Sequence, residues 1–185
     1  MTCIVGLIHN KDVYIGGDSA ASGGQNIRIR KDNKVFKNGN ILYGFTTSFR
    51  MGQILAYQFD TPKRPPKESI RDYIYGLYIE AVRGCLKDHG YAKVESNVEQ
   101  GGNFIIGYEG LLFEIQDDFH VAEYHEPYTA IGAGESYALG ALRILNTSEM
   151  NPKQIITKSL EVATHFTPCV RPPFIIKKLS YKETL

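Results

Sequence analysis

Thr2 follows the first methionine, and a small residue at that position favours removal of Met1. The chain would then begin with a threonine that carries both a hydroxyl and a free α-amine. An N-terminal amine titrates near pH ~7.7, so an appreciable fraction is unprotonated at neutral pH. That amine can take the proton of its own hydroxyl, the threonine variant of nucleophilic catalysis. With Met1 retained, the amine is locked in a peptide bond and cannot act as a base. Many sequences open Met-Thr, so Thr2 gains meaning only from the residues downstream of it.

Asp18, Lys34 and Gly44 are the next candidates, and each has a plain reading when taken singly. Asp18 could make an Asx turn at the end of a strand. Lys34 could be a solvated hairpin residue beside Lys31 and Lys37. Gly44 could be a bulge or a close-packing glycine. Gly132-Ala133-Gly134 could cradle a phosphate at a helix start, but it lacks the third glycine and later acidic partner of a dinucleotide fingerprint. His9, His89, His120, His125 and His165 are scattered without metal-ligand spacing. Cys3, Cys85 and Cys169 are odd in number and far apart, which argues against a disulfide framework or structural zinc and fits a reducing compartment. No metal site and no cofactor are expected.

The order and spacing of these residues carry more than any one of them. Thr2-Cys-Ile-Val-Gly opens the chain. Gly16-Gly17-Asp18-Ser19-Ala20-Ala21 places its Asp sixteen residues after Thr2, and Lys34-Val35 places its Lys thirty-two after it. Tyr43-Gly44-Phe45 comes next, then Ala130-Ile131-Gly132-Ala133-Gly134 with Tyr137-Ala138, and a final helix and strand over 155–179. Across nearly its whole length the chain resembles the HslV-type, proteasome β-subunit family of N-terminal-nucleophile threonine peptidases.

The resemblance implies a role for each matched residue. Thr2 is the nucleophile. Lys34 is a neighbouring cation that lowers the pKa of the Thr2 system, and Asp18 is its counter-charge and orienting partner. The Gly44 N–H is the expected oxyanion donor, and Ala21, Leu42 and Thr46 are the expected lining of the primary specificity pocket. Family relatives assemble as stacked rings, so the resemblance also implies a homo-oligomer fed with unfolded polypeptide by an ATP-dependent unfoldase. No nucleotide motif is present, so ATP hydrolysis would lie on a separate chain. The tail Ser180–Leu185 is a candidate docking element by analogy.

The chain departs from the family pattern at three places. Ala133 stands where the family usually carries a serine that contacts the nucleophile's amine. His165 stands where it carries an acidic residue, with Glu161 one helical turn earlier. Residues 45–51 are bulkier and more basic than the family's Gly/Ala-rich stretch. Two other functions therefore stand beside the peptidase: a catalytically inactive proteasome-like scaffold ring, and a small-molecule amidase of the same superfamily.

Hydrophobic pattern gives the elements that must position these residues. The run 3–9 is almost continuously apolar, as in a strand buried on both faces, and 13–18 returns antiparallel to it. A second hairpin joins 34–37 to 40–44 across Asn38-Gly39. Between the hairpins, Ser19 to Asn26 reads as a loop. Helical periodicity covers 48–59 and Glu68 to Asp88, the latter with Ile70, Ile74, Leu77, Tyr78, Ala81, Val82 and Cys85 on one face. Strands are expected at 103–108, 111–115, 119–124, 128–131 and 174–179, with helices from Gly134 to Leu145 and from Pro152 to His165. Helices grouped between runs of antiparallel strands predict an α+β, αββα four-layer sandwich.

Composition sets the outer limits. The 185 residues are 43% hydrophobic and 22% charged, ordinary values for one globular domain spanning 1–185. A net charge of +1 gives no support to nucleic-acid or anionic-membrane binding. No apolar run approaches the ~20 residues needed to span a bilayer. The stretch 2–8 is too short for a signal-peptide core and has no basic residues before it. A cytoplasmic location is expected.

Overall fold

The computed structural model describes residues 2–23, 26–95 and 98–181. β1 (Cys3–His9) and β2 (Asp12–Gly17) form a hairpin whose turn, Asn10-Lys11, takes left-handed φ angles of 52° and 65°. Such paired positive φ values twist a two-residue turn in the sense of the strands it joins. β3 (Ala20–Gly23) and β4 (Asn26–Ile29) pair as a small ribbon. β5 (Val35–Asn38) and β6 (Ile41–Phe45) make the second hairpin. Then come α1 (Phe49–Tyr57), α2 (Ile70–Tyr73), a π-helical turn at Ile74–Tyr78 and α3 (Ile79–Asp88). A ribbon of β7 (Lys93–Glu95) and β8 (Val98–Gln100) precedes β9 (Phe104–Tyr108), β10 (Leu111–Ile115), β11 (Val121–Ala122) and β12 (Tyr128–Gly132). α4 (Glu135–Leu145), α5 (Pro152–Phe166) and β13 (Ile175–Leu179) complete the order.

Two antiparallel sheets face each other, ordered β12-β1-β2-β13 and β11-β10-β9-β6-β5. Alternation along each strand explains why both faces are apolar. On β1, Cys3, Val5 and Leu7 pack against Ala138, Leu142, Ile156 and Leu160 of α4 and α5. Ile4 points the other way, joining Val13, Ile15, Val35, Leu42, Ile105, Leu112 and Ile131 between the sheets. On β6, Ile41, Tyr43 and Phe45 pack outward against Met51, Ile54, Tyr78 and Val82 of the other helical layer. The result is the helix–sheet–sheet–helix sandwich, and each fully buried Ile or Leu in it contributes roughly 1.5–3 kcal/mol.

Local differences from the sequence expectation have local causes. Ser19 to Asn26 is not a simple loop, because β3 and β4 pair along Asn26-Ile27-Arg28-Ile29 while Ile27 and Ile29 remain exposed. The ribbon is held by backbone pairing rather than by a core, so hydrophobic pattern alone hides it. The ribbon of β7 and β8 is likewise not expected from the sequence. In the second hairpin the turn is Gly39-Asn40, one residue later than expected, with Gly39 at φ 57°. Asn38 stays in the strand and donates from its amide to the carbonyls of Leu55 (2.9 Å) and Phe59 (2.7 Å). The long helix starts at Ile70 after a Ser69 cap, and the π turn inserts an extra residue into its register. Leu77 is therefore 44% exposed although its spacing predicts an inward face, while Ile74, Tyr78 and Val82 remain buried.

Candidate active site

Thr2, just before β1, is 5% exposed. Its carbonyl lies against the segment that leaves β12. The Gly134 N–H donates to Thr2 O (3.3 Å), and a Cβ at Gly132 would stand 2.4 Å from that oxygen. Gly132 also has φ 98°, a conformation that disfavours any side chain. The glycine pattern here thus serves close approach to the start of the chain. Ala133, between the two glycines, is exposed.

Asp18 follows the last residue of β2 and is 1% exposed. Its carboxylate gathers four donors. Oδ1 accepts from Lys34 Nζ (2.8 Å) and from the Cys3 N–H (3.1 Å). Oδ2 accepts from the N–H groups of Ala20 (2.9 Å) and Arg171 (3.3 Å). Because one oxygen holds both the Lys34 ammonium and the peptide N–H immediately after Thr2, Asp18 fixes the cation beside the first peptide unit. The side chains of Lys34 and Asp18 are 2% and 0% exposed. Burial draws the Lys34 ammonium below its ordinary value, opposed by the Asp18 carboxylate, with Arg30 adding to the lowering. Arg30 lies over the Phe49 ring at 3.9 Å and Lys34 lies 5.8 Å from the same ring. Burial pushes the adjacent Cys3 thiol up to about 12, helped by Asp18, so Cys3 stays neutral and is no rival nucleophile.

The other expected residues divide. Thr46 is 8% exposed, and its hydroxyl lies 3.2 Å from where a Gly132 Cβ would be, so it adjoins the Thr2 carbonyl. Ala21 is half-buried on β3, next to the Ala20 N–H that holds Asp18. Leu42 is fully buried between the sheets with Ile4, Val13 and Ile15, where it packs the core. Gly44 is corrected in the same way. The Thr46 N–H donates to Asn103 O (3.0 Å), and ladder alternation then puts Gly44 in a hydrogen-bonded pair with Ile105. Its N–H is therefore spent in the sheet, and a Cβ there would meet Ile4 Cγ2 at 2.5 Å and Ile15 Cγ2 at 2.6 Å. Gly44 is a packing glycine. His165 is exposed on α5 and stands edge-on to Phe166 at 4.9 Å, away from the Asp18 cluster's hydrogen bonds.

Two features of the site have no signal in the sequence. The first is the corner after β6. Thr47 has φ 66°, its hydroxyl accepts from the Asn103 N–H (3.2 Å), and its own N–H has no partner among the described residues. The flanking Thr46 and Ser48 N–H groups are both engaged. A non-glycine residue with positive φ leaves no sequence signature. The second is the Arg171 N–H on Asp18, a backbone donor that residue type cannot announce.

No family model matches the chain. Among curated proteins it is 25% identical over 166 residues to the ATP-dependent protease subunit HslV of Caldicellulosiruptor saccharolyticus, covering 88% of this chain and 89% of that one. Among solved structures, Thiobacillus denitrificans BPH in complex with epoxomicin superposes with a TM-score of 0.82 at 19% identity, over 98% of this chain and 100% of that one. HslV from Trypanosoma brucei gives a TM-score of 0.69 at 16% identity, over 96% of this chain and 98% of that one. With the four layers of the sandwich, these likenesses define an N-terminal-nucleophile hydrolase fold. The curated proteins it resembles are HslV-type subunits of ATP-dependent proteases, and the solved structures share its fold. No helix among the described residues is long and apolar enough to cross a membrane.

Proposed function

We propose that the chain is a threonine-type endopeptidase subunit whose nucleophile is Thr2 after loss of Met1. The observation that carries this reading is the single Asp18 oxygen that holds both Lys34 Nζ and the Cys3 N–H. A buried ammonium kept beside the chain start lowers the affinity of the Thr2 amine for a proton, leaving it neutral at working pH. The amine then accepts the hydroxyl proton as Oγ attacks the peptide carbonyl. The new C–O bond gives a tetrahedral oxyanion, for which the Thr47 N–H replaces Gly44 as the candidate donor. Collapse breaks the C–N bond, the amine's proton goes to the leaving nitrogen, and an ester on Thr2 remains. Water, deprotonated by the same amine, attacks that ester and regenerates Thr2.

Several assembly properties belong to the same proposal. The curated relatives are ATP-dependent protease subunits. This chain would assemble as stacked homo-oligomeric rings that receive unfolded polypeptide from an unfoldase on another chain. Most of the tail offered as a docking element, 182–185, lies outside the described residues, as does Met1. The exposed Ala133 supports the second reading, an inactive scaffold ring, because the Thr2 amine gains no hydroxyl partner there. Hydrolysis of fluorogenic peptides separates the two. The peptidase reading expects turnover by the processed protein and none by Thr2→Ala. Equal turnover by the two proteins would overturn it.

A further inference from the structure

Arg171 presents an unusual arrangement. Its Nη1 donates to three main-chain carbonyls, those of Val170 (2.7 Å), Thr167 (2.9 Å) and Thr164 (3.3 Å). α5 ends at Phe166, so Thr164 and Thr167 sit at its C-terminal end, where carbonyls lack helical partners and the dipole favours a cation. Among the described residues no carboxylate forms an ion pair with this guanidinium. Among the described residues its hydrogen bonds all go to backbone oxygens.

The main chain of the same residue faces the opposite way. Its N–H donates to Asp18 Oδ2 (3.3 Å), and its carbonyl accepts from the Ser19 N–H (3.1 Å). The Ser19 hydroxyl adds a bond to Pro173 O (2.7 Å). Arg171 therefore joins the end of α5 to the corner that presents Asp18, with the side chain anchoring one end and the backbone gripping the other.

We propose that Arg171 is a positioning residue: its guanidinium, seated in a cradle of three carbonyls, fixes the backbone that orients the Asp18 carboxylate toward Lys34. Without the cation, the carbonyls of Thr164, Thr167 and Val170 lose their shared donor, and the segment carrying the Arg171 N–H is released from α5. Asp18 then keeps its charge but loses one of the two donors that hold Oδ2. Its other oxygen is freed to turn from Lys34. The catalytic consequence rests on the peptidase reading, whereas the structural consequence at Lys34 does not.

The test reads Lys34 directly. Protein with 13C-labelled lysine side chains is titrated by NMR as wild type, Arg171→Ala, Arg171→Gln and Arg171→Lys, and peptide turnover is measured in parallel. Lys34 faces Asp18 and Cys3, with Arg30 beyond, and none of these is altered by the substitutions. The expected result is a lower Lys34 midpoint in Arg171→Ala and Arg171→Gln, returned toward wild type in Arg171→Lys. Sub-denaturing guanidinium chloride should restore it in Arg171→Ala, whereas tetramethylammonium chloride, which cannot donate to carbonyls, should not. Turnover should fall at least tenfold in kcat with little change in KM. If Arg171→Ala does not fold, Arg171→Gln retains side-chain bulk and carries the comparison. A folded, neutral variant with an unmoved Lys34 midpoint overturns the inference, whatever turnover does. A moved midpoint in a protein whose wild type cleaves nothing retires the peptidase reading and leaves the positioning role standing.

Discussion

One strand carries two aspartate–lysine pairs that differ in nearly everything but residue type. Asp12 opens β2 and bonds Lys178 Nζ at 2.6 Å, while Asp18 follows the strand's last residue and bonds Lys34 Nζ at 2.8 Å. Asp12 accepts one backbone N–H, from Tyr181 (2.9 Å), whereas Asp18 accepts three. The Lys178 and Asp12 side chains are 39% and 22% exposed, against 2% and 0% for Lys34 and Asp18. The lysines respond oppositely. The hydrogen bond that Lys178 donates to Asp12 raises Lys178, and burial lowers Lys34 despite its carboxylate. A short ion pair is thus a solvated clasp at one end of the strand and a tuned, water-excluded group at the other. Depth, not pairing, decides which.

Breaking the buried pair should have the largest effect. Asp18→Asn leaves a buried ammonium without its counter-charge, which costs about 3–5 kcal/mol of stability and abolishes peptide turnover. Denaturant melts and turnover assays check both outcomes. Gly44→Ala comes next: its Cβ would be driven into Ile4 and Ile15, with an expected loss of about 1–3 kcal/mol. Because Gly44 is assigned to packing, the Gly44→Ala protein should regain turnover in proportion to the fraction folded. Loss of turnover in fully folded protein would return Gly44 to the catalytic set.

The titration contrast sharpens the comparison without mutation. In lysine-labelled protein, Lys34 should titrate below the ordinary lysine value and Lys178 above it. The two lysines act on stability with opposite sign. Lys178 contributes fully below its unfolded value, and that contribution is lost as pH rises through its raised folded value. Lys34, lowered on folding, opposes folding below its unfolded value, and the opposition lifts as pH climbs from its folded value. Asp12 is lowered chiefly by its Lys178 hydrogen bond, so its contribution is present above the unfolded carboxylate value and lost as pH falls through the folded one. The smallest effect belongs to Asp12→Asn, which should shift Tm by no more than about 2 °C, because solvent screens the pair.

The sandwich was legible because the run 3–9 is apolar on both faces and the helical segments are grouped between runs of antiparallel strands. Asp18 and Lys34 were singled out by their spacing from Thr2 within the family resemblance, since taken singly each has a plain structural reading. Their environment was not legible, since three of the four donors to Asp18 are backbone N–H groups and one comes from Arg171, 153 positions away. Leu42 and Gly44 were misread for a related reason. Both belong to the inward face of β6, and a sequence match does not tell a glycine needed for sheet contact from one needed for substrate approach. The Thr47 corner was hidden because its backbone angle goes against residue preference. The ribbons β3–β4 and β7–β8 escaped because such short pairings leave no hydrophobic period in the sequence.

The most direct measurement is the intact mass of the purified protein before and after incubation with epoxomicin. Such an epoxyketone adduct requires both the hydroxyl and the free amine of an N-terminal threonine. The expected result is a starting mass lacking one methionine, then one inhibitor added per chain and none in Thr2→Ala. A mass that retains Met1, or a processed chain that takes up no inhibitor, would contradict the assignment of Thr2 as the nucleophile.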